Sequence, residues 1–287
     1  MININSKVLF VWLLLISVSA KAGDLDSKAL WLPKSNVFPS LLFDTQEART
    51  GGSLYGFRAN DRWQNRGFGN FSVGFRRNII RWHDQTAKQR ELGFELAVNT
   101  QFIFEKPFEV FQVNLFSVDF KVGLHYQWQL NNNIRLRARI YHVSSHLGDD
   151  FIYRYFITHF LDNPRIFEVI DLSAAYQLNH WLFYANLGLI PHSAYERKPL
   201  IVQAGTQWES AVKGKNWLKW LAGFDVRAEQ ESAFHPGLHL GAGLRLGMPD
   251  AMPFTVMIDY YAGYIPHSLF DRANIQWVGA SLLFHPF

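Results

Sequence analysis

From about residue 51 to the C-terminus, hydrophobic and polar side chains alternate with a period of two, the signature of strands with one apolar face. In the clearest run, Phe116, Val118, Phe120, Val122, Leu124, Tyr126, Trp128 and Leu130 share one face. Ser117, Asp119, Lys121, Gly123, His125, Gln127 and Gln129 take the other. The same rule separates Leu92, Phe94, Leu96 and Val98 from Glu95 and Asn99, and Phe254, Val256, Ile258 and Tyr260 from Thr255 and Asp259. Twelve such strands are predicted, starting near residues 51, 69, 91, 114, 134, 166, 181, 199, 216, 236, 253 and 273. Each approaches the ~10 residues that a tilted membrane-crossing strand needs.

One strand decides which face is wet. Arg135, Arg137 and Arg139 oppose Ile134, Leu136, Ala138 and Ile140. A sheet packed in water does not turn three arginines toward its core, whereas a closed barrel with a polar lumen and lipid outside does. The predicted fold is therefore all-β, a transmembrane antiparallel β-barrel of about 12 strands. Arg135, Arg137, Arg139, Asp119, Lys121 and Glu95 form the expected ion-pair network of a filled lumen rather than of an open pore.

Connections sort by length, as outer-membrane barrels keep periplasmic turns short and outer loops long. Asn131-Asn132-Asn133, Asn179-His180 and Met248-Pro249-Asp250 are short, whereas 147–165, 191–198 and 263–272 are long. An even strand count then leaves both ends in the periplasm. Trp128, Trp181, Trp217, Trp220 and Tyr264 fall near strand ends, where interfacial aromatic girdles lie. The terminal Phe287 resembles the C-terminal aromatic of such barrels.

The N-terminal part reads differently. Residues 1–22 have the form of a signal peptide, with Lys7, an apolar core from Val8 to Val18 and the small-residue site Ala20-Lys21-Ala22. Residues 23–50 hold Pro33 and Pro39 and show no alternation, so they are expected to be a periplasmic or barrel-plugging lead-in to a barrel spanning 51–287. A content of 48% hydrophobic and 16% aromatic residues, with a mean hydropathy of −0.07, suits an apolar wall around a polar interior. The absence of cysteine excludes disulfides and a lipoprotein anchor. A formal charge of +4, reduced further once Lys7 and Lys21 leave with the signal, gives no reason to expect a nucleic-acid partner.

Against this frame, Ile140-Tyr141-His142-Val143-Ser144-Ser145-His146 stands out. Alternation puts His142 and Ser144 on the lipid face, near the outer end of an upward strand. Glu168 is the one acid on the lipid face of the next strand, and folding the hairpin about residue 156 puts it opposite Ser144, a diagonal step from His142. Serine is a weak nucleophile until an imidazole takes its proton, and the imidazole needs an acceptor to hold its tautomer. Ser144, His142 and Glu168 are thus the candidate nucleophile, base and orienter. His146 is a rim residue or an auxiliary base, and Asp149 and Asp150 are loop caps or, alternatively, a third member or calcium ligands. No other cofactor or metal is implied. The bland explanation is that His, Ser and Glu are tolerated in the headgroup zone at about 0–1 kcal/mol. It leaves open a non-enzymatic structural or narrow-channel barrel.

His142-Val143-Ser144, with a polar partner on the next strand, resembles the His-x-Ser arrangement of outer-membrane phospholipase A, a twelve-stranded barrel with a Ser-His-Asn group. It is also similar to that of lipid A deacylase, a smaller barrel with a Ser-His-Glu group. In both families Asn-Gly tends to follow the serine and helps form the oxyanion site, whereas here Ser145-His146 follow and glycine comes only at Gly148. Over most of its length, including Leu32-Pro33, Phe38-Pro39-Ser40-Leu41-Leu42 and Ser144 to Asp150, the chain looks like a bacterial outer-membrane family known only as a domain of unknown function. The first two resemblances imply a serine hydrolase of acyl esters, acting on phospholipid or lipopolysaccharide in the bacterial outer membrane. A lipid-facing site of this kind also allows a homodimer.

Overall fold

The computed structural model describes residues 29–59, 61–83, 88–106, 110–157, 165–247, 253–270 and 273–284. The expected signal peptide, the Met248-Pro249-Asp250 turn and Phe287 lie outside the described residues.

Twelve antiparallel strands close on themselves. They are β2 (Thr50–Ala59), β3 (Arg62–His83), β4 (Gln89–Glu105), β5 (Gln112–Gln129), β6 (Ile134–Leu147) and β7 (Ile166–Leu178), followed by β8 (Trp181–Ser193), β9 (Leu200–Val212), β10 (Lys215–Glu229), β11 (Gly237–Leu246), β12 (Phe254–Tyr264) and β13 (Asn274–Phe284). Each pairs with its sequence neighbour, and β13 pairs with β2 from Ile275↔Ala59 to Phe284↔Thr50 to close the ring. β6, β7 and β8 begin at the predicted residues 134, 166 and 181. β3 instead begins at Arg62, well before residue 69: of its first residues, Arg62-Trp63-Gln64-Asn65-Arg66, only Trp63 is apolar, so neither face carries an apolar run. A strand end that projects past the membrane needs no apolar face, so alternation gives no signal there.

A further two-residue strand, β1 (Leu30–Trp31), pairs with Ile80 and Arg81 of β3. It lies where β2 has already ended: the β2–β3 ladder stops at Gly51↔Ser72, so the lower part of β3 would present an open edge. Thr50 covers the edge at Gly74, its Oγ1 bonding both the carbonyl and the N–H, and Leu32 donates its N–H to the Ile79 carbonyl.

The wall is inverted relative to a soluble sheet. Arg137, His125, Gln127, Glu91 and Glu95 are buried inward, while Val122, Leu172, Leu187 and Ile258 stand exposed outward. Ile258 lies mid-strand and is 68% exposed, with Ala242 and Ala280 as its cross-strand neighbours. Ile258→Arg is therefore expected to lower folding stability in bilayers by about 2–4 kcal/mol, the depth-dependent penalty for a cation on the lipid face. Urea titration of folding into vesicles would read it.

The lumen is filled. The segment after β1 enters it and buries Phe38, Leu41, Leu42 and Phe43. Having no ladder of its own, this segment takes its backbone partners from inward side chains. Glu91 and Gln127 accept the N–H groups of Val37 and Phe38, each at 2.7 Å. Gln207 accepts that of Leu42. Arg76, His239 and Lys121 donate to the carbonyls of Phe38, Phe43 and Gln46, and the carbonyl of Thr45 meets His267 Nε2 at 2.7 Å. Glu47 lies between Arg76, Arg137 and Arg139. Arg139 also pairs with Asp171 at 2.7 Å, Lys121 with Glu95 at 2.7 Å, and Arg165 with Asp119. Toward the end carrying the longer connections, Tyr55, Phe57, Phe68, Phe116, Tyr261 and Trp277 pack into an aromatic cluster. Phe151 and Phe270, from two of those connections, pack against it.

Candidate active site

Near the end that leads into the long β6–β7 connection, β6 keeps strict alternation. Tyr141, Val143 and Ser145 are buried in the lumen, and His142, Ser144 and His146 face outward. Inward anchoring fixes this parity, because Tyr141 and Val143 belong to a packed cluster with Phe167, Val169, Ile190 and Ile201. A one-residue slip would expel that cluster into lipid. The outward residues lie among apolar neighbours: Val118, Phe120 and Val122 of β5 on one side, Ile166 and Ile170 of β7 on the other. Phe120 meets the His146 ring edge to face, with centroids 5.8 Å apart.

Glu168 is on the same wall, but its partner differs from the predicted one. The ladder pairs His142↔Glu168 and Ser144↔Ile166, so Glu168 stands directly opposite His142 and not opposite Ser144. The β6–β7 connection contains a short helix, α1 (Asp149–Arg154), and does not fold symmetrically about residue 156. Shifting the centre of a hairpin by one residue moves each cross-strand partner by two, which preserves the face and changes the partner. The shift brings the carboxylate to the imidazole: His142 Nδ1 lies 3.0 Å from Glu168 Oε1.

Ser144 also has a different partner from the expected one. Its Oγ is 3.0 Å from His146 Nε2, and it makes no hydrogen bond to His142. Residues two apart on a strand share a face, so Ser144 has an imidazole on each side and its hydroxyl has turned toward the outer one.

A fifth outward group joins from β8, and sequence reasoning missed it. His192 Nδ1 lies 2.6 Å from Glu168 Oε2. Along β8, Leu182, Tyr184, Asn186 and Ile190 point inward, so unbroken alternation would send His192 into the lumen. The β7–β8 ladder instead slips between Glu168↔His192 and Ile170↔Leu189, setting Ile190 and Pro191 against the single residue Val169. This bulge reverses parity, and Pro191 and His192 are consecutively exposed. The one cue in the sequence was Pro191, a residue confined to edges and bulges within sheets.

Asp149 and Asp150 are exposed in the first turn of α1 behind the N-cap Gly148. Asp150 Oδ2 accepts the Leu115 N–H at 3.0 Å, tying the helix to β5, and neither aspartate bonds to His142, Ser144 or Glu168. Among the described residues no group of three or more His, Asp or Glu side chains is arranged to hold a metal ion.

The family profile described as "Protein of unknown function (DUF1207)" matches residues 18–286. The chain belongs to that family. No curated protein matches it. Among solved structures, outer membrane phospholipase A from Escherichia coli is similar over 88% of this chain and 96% of its own, at 12% identity and a TM-score of 0.52. The calcium-bound dimer of the Salmonella typhi phospholipase covers 89% and 96%, also at 12% identity and a TM-score of 0.52. LpxR from Salmonella typhimurium covers 82% and 99% at 11% identity, with a TM-score of 0.41. The phospholipase likeness is one of fold. Together with the apolar outer wall and the charged, filled lumen, it makes this DUF1207 chain an outer-membrane β-barrel of bacteria.

Proposed function

We propose that this barrel is a serine hydrolase that cleaves acyl esters of membrane lipids from its outer wall. The observation that carries the proposal is the His142 Nδ1 to Glu168 Oε1 contact of 3.0 Å, two residues from Ser144 on a lipid-facing strand. A carboxylate that accepts from Nδ1–H leaves Nε2 unprotonated and stabilises the imidazolium that forms during reaction. Only His142 combines that support with proximity to the serine, which makes it the base rather than His146.

Each hydrogen then has a place. His146, protonated on Nε2, donates to Ser144 Oγ and leaves the hydroxyl proton to go to His142 Nε2 as Oγ attacks the ester carbonyl carbon. Collapse of the tetrahedral intermediate breaks the bond to the lipid alkoxide, which takes the proton from His142. The acyl-enzyme is hydrolysed by a water that His142 deprotonates, releasing the fatty acid and restoring Ser144. The Ser145 N–H is already given to the Arg165 carbonyl at 3.0 Å, so it does not serve the oxyanion. The donor in this reading is His146 Nε2–H, which lies 3.0 Å from Oγ and turns from it to the adjacent carbonyl oxygen as the Oγ–C bond forms and negative charge moves there. A lipid-facing site near the outer end of β6 is reached by ester groups just below the headgroups and not by solutes in the lumen. The filled lumen argues against the narrow-channel alternative.

Labelling with a serine-reactive phosphonate carrying an alkyl chain, followed by peptide mapping, tests the proposal directly. The expected result is a single adduct on Ser144, lost in His142→Ala. An unlabelled Ser144, or an adduct that survives loss of His142, would refute it.

A further inference from the structure

We propose that His192 is a positioning residue of this site: it holds the Glu168 carboxylate from the side opposite His142, so that one carboxylate fixes the tautomers of two imidazoles. The inference rests on the hydrolase reading for its consequence in catalysis, but its geometric content stands without it.

Glu168 receives a different imidazole on each oxygen, His142 Nδ1 on Oε1 at 3.0 Å and His192 Nδ1 on Oε2 at 2.6 Å. Both contacts are through Nδ1, so with the carboxylate ionised each ring carries its proton on Nδ1 and presents a bare Nε2. Free imidazole side chains favour the opposite tautomer, so the arrangement has to be imposed, and an orienting acid imposes it only if its own rotamer is fixed. Glu168 has three side-chain torsions and is about one-third exposed on a lipid wall. From β5 and β7 the residues nearest in register to His142 and Glu168 are Phe120, Val122, Ile166 and Ile170, none of which offers a hydrogen bond to the carboxylate. His192 is the second donor, so without it the carboxylate is free to turn away from His142.

The local backbone is shaped for this contact. The Ile190-Pro191 bulge is what turns His192 from the lumen to the outer wall and into register with Glu168. Bulges recur beside functional sites where a side chain must be re-aimed. A histidine needed only for packing would have been placed on that wall by plain alternation. His192 itself is 66% exposed and supports no core, which also makes it replaceable without unfolding the barrel.

The test uses full-length protein refolded in detergent micelles, with His192→Leu to remove the donor and His192→Asn to return an amide nitrogen near the Nδ1 position. Imidazole nitrogen-15 spectra of the wild type are expected to show His142 as the Nδ1–H tautomer. His192→Leu should let it drift to a mixture with a majority of Nε2–H, and His192→Asn should restore it. If His142 keeps its wild-type spectrum in His192→Leu, the inference is wrong whatever the enzyme does. In parallel, hydrolysis of a short-chain acyl ester should lose about tenfold in kcat at unchanged KM in His192→Leu and recover in His192→Asn. Wild-type protein without any hydrolysis would remove the hydrolase reading alone, since the spectra still decide the role of His192. A variant whose spectra change while its kcat does not would confine the role to structure and overturn the positioning claim.

Discussion

Ser144→Ala is expected to reduce acyl release from mixed phospholipid–detergent micelles by on the order of 10³-fold or more, with the barrel still migrating as a folded species on unheated gels. The barrel survives because Ser144 faces outward and its hydroxyl supports no lumen contact, bonding to His146 on the same wall. His142→Ala should match the serine variant, and the double variant should be no worse than either, since a nucleophile without its base and a base without its nucleophile fail alike. Glu168→Gln keeps the volume but offers an amide that can hold the wrong tautomer, so a loss on the order of 10²–10⁴ is expected. His146→Ala should cost on the order of 10²–10³, the usual consequence of removing one oxyanion donor. That ranking, His142 above His146, separates the base from its neighbour. Equal acyl release by wild type and Ser144→Ala would end the proposal, and a larger loss in His146→Ala than in His142→Ala would reverse the two roles.

The parts of this picture that sequence exposes are those governed by a period of two. Inward Arg137 and Arg139 and outward Ile140, His142 and Ser144 follow from alternation alone, and the strong pattern in β6, β7 and β8 locates their first residues. What it hides are departures from regularity. The polar start of β3 carries no apolar face to detect. The helix in the β6–β7 connection moves the hairpin centre, so Glu168 meets His142 in place of Ser144. A single bulge brings His192 to a wall where alternation would never have put it. The choice of Ser144 between His142 and His146 is a rotamer, and spacing cannot distinguish two histidines equally far along one strand. The plug is a further case. Pro33 and Pro39 set this segment apart from the barrel strands, yet nothing in it announces the two-residue β1, and the partners of its backbone lie on β3, β4, β5, β9 and β11, far away in sequence.

Those partners set the second large effect. Glu47→Ala is expected to destabilise the folded barrel by about 3–5 kcal/mol, the consequence of leaving buried charge without its counter-ion. Glu47 binds Arg137 through both oxygens, at 2.8 and 3.0 Å, and Arg76 at 2.8 Å. Arg139 would retain Asp171, but Arg137 is fully buried and would lose its hydrogen-bonded carboxylate, keeping the face of the Phe38 ring, 4.4 Å away, and the more distant charge of Glu95. Urea titration of the refolded protein, followed by the mobility shift between heated and unheated samples, would read the loss. Pairing Glu47→Leu with Arg137→Met should recover most of it, since an apolar pair removes both charges at once. A midpoint unchanged in Glu47→Ala would mean that the segment merely occupies the lumen and does not brace it. The same variant bears on function: planar bilayers holding the wild type should stay silent, and a plug loosened at Glu47 should admit current. Retained lipid hydrolysis in that leaking variant would assign the chemistry to the outer wall and leave the interior the task of holding that wall's geometry fixed.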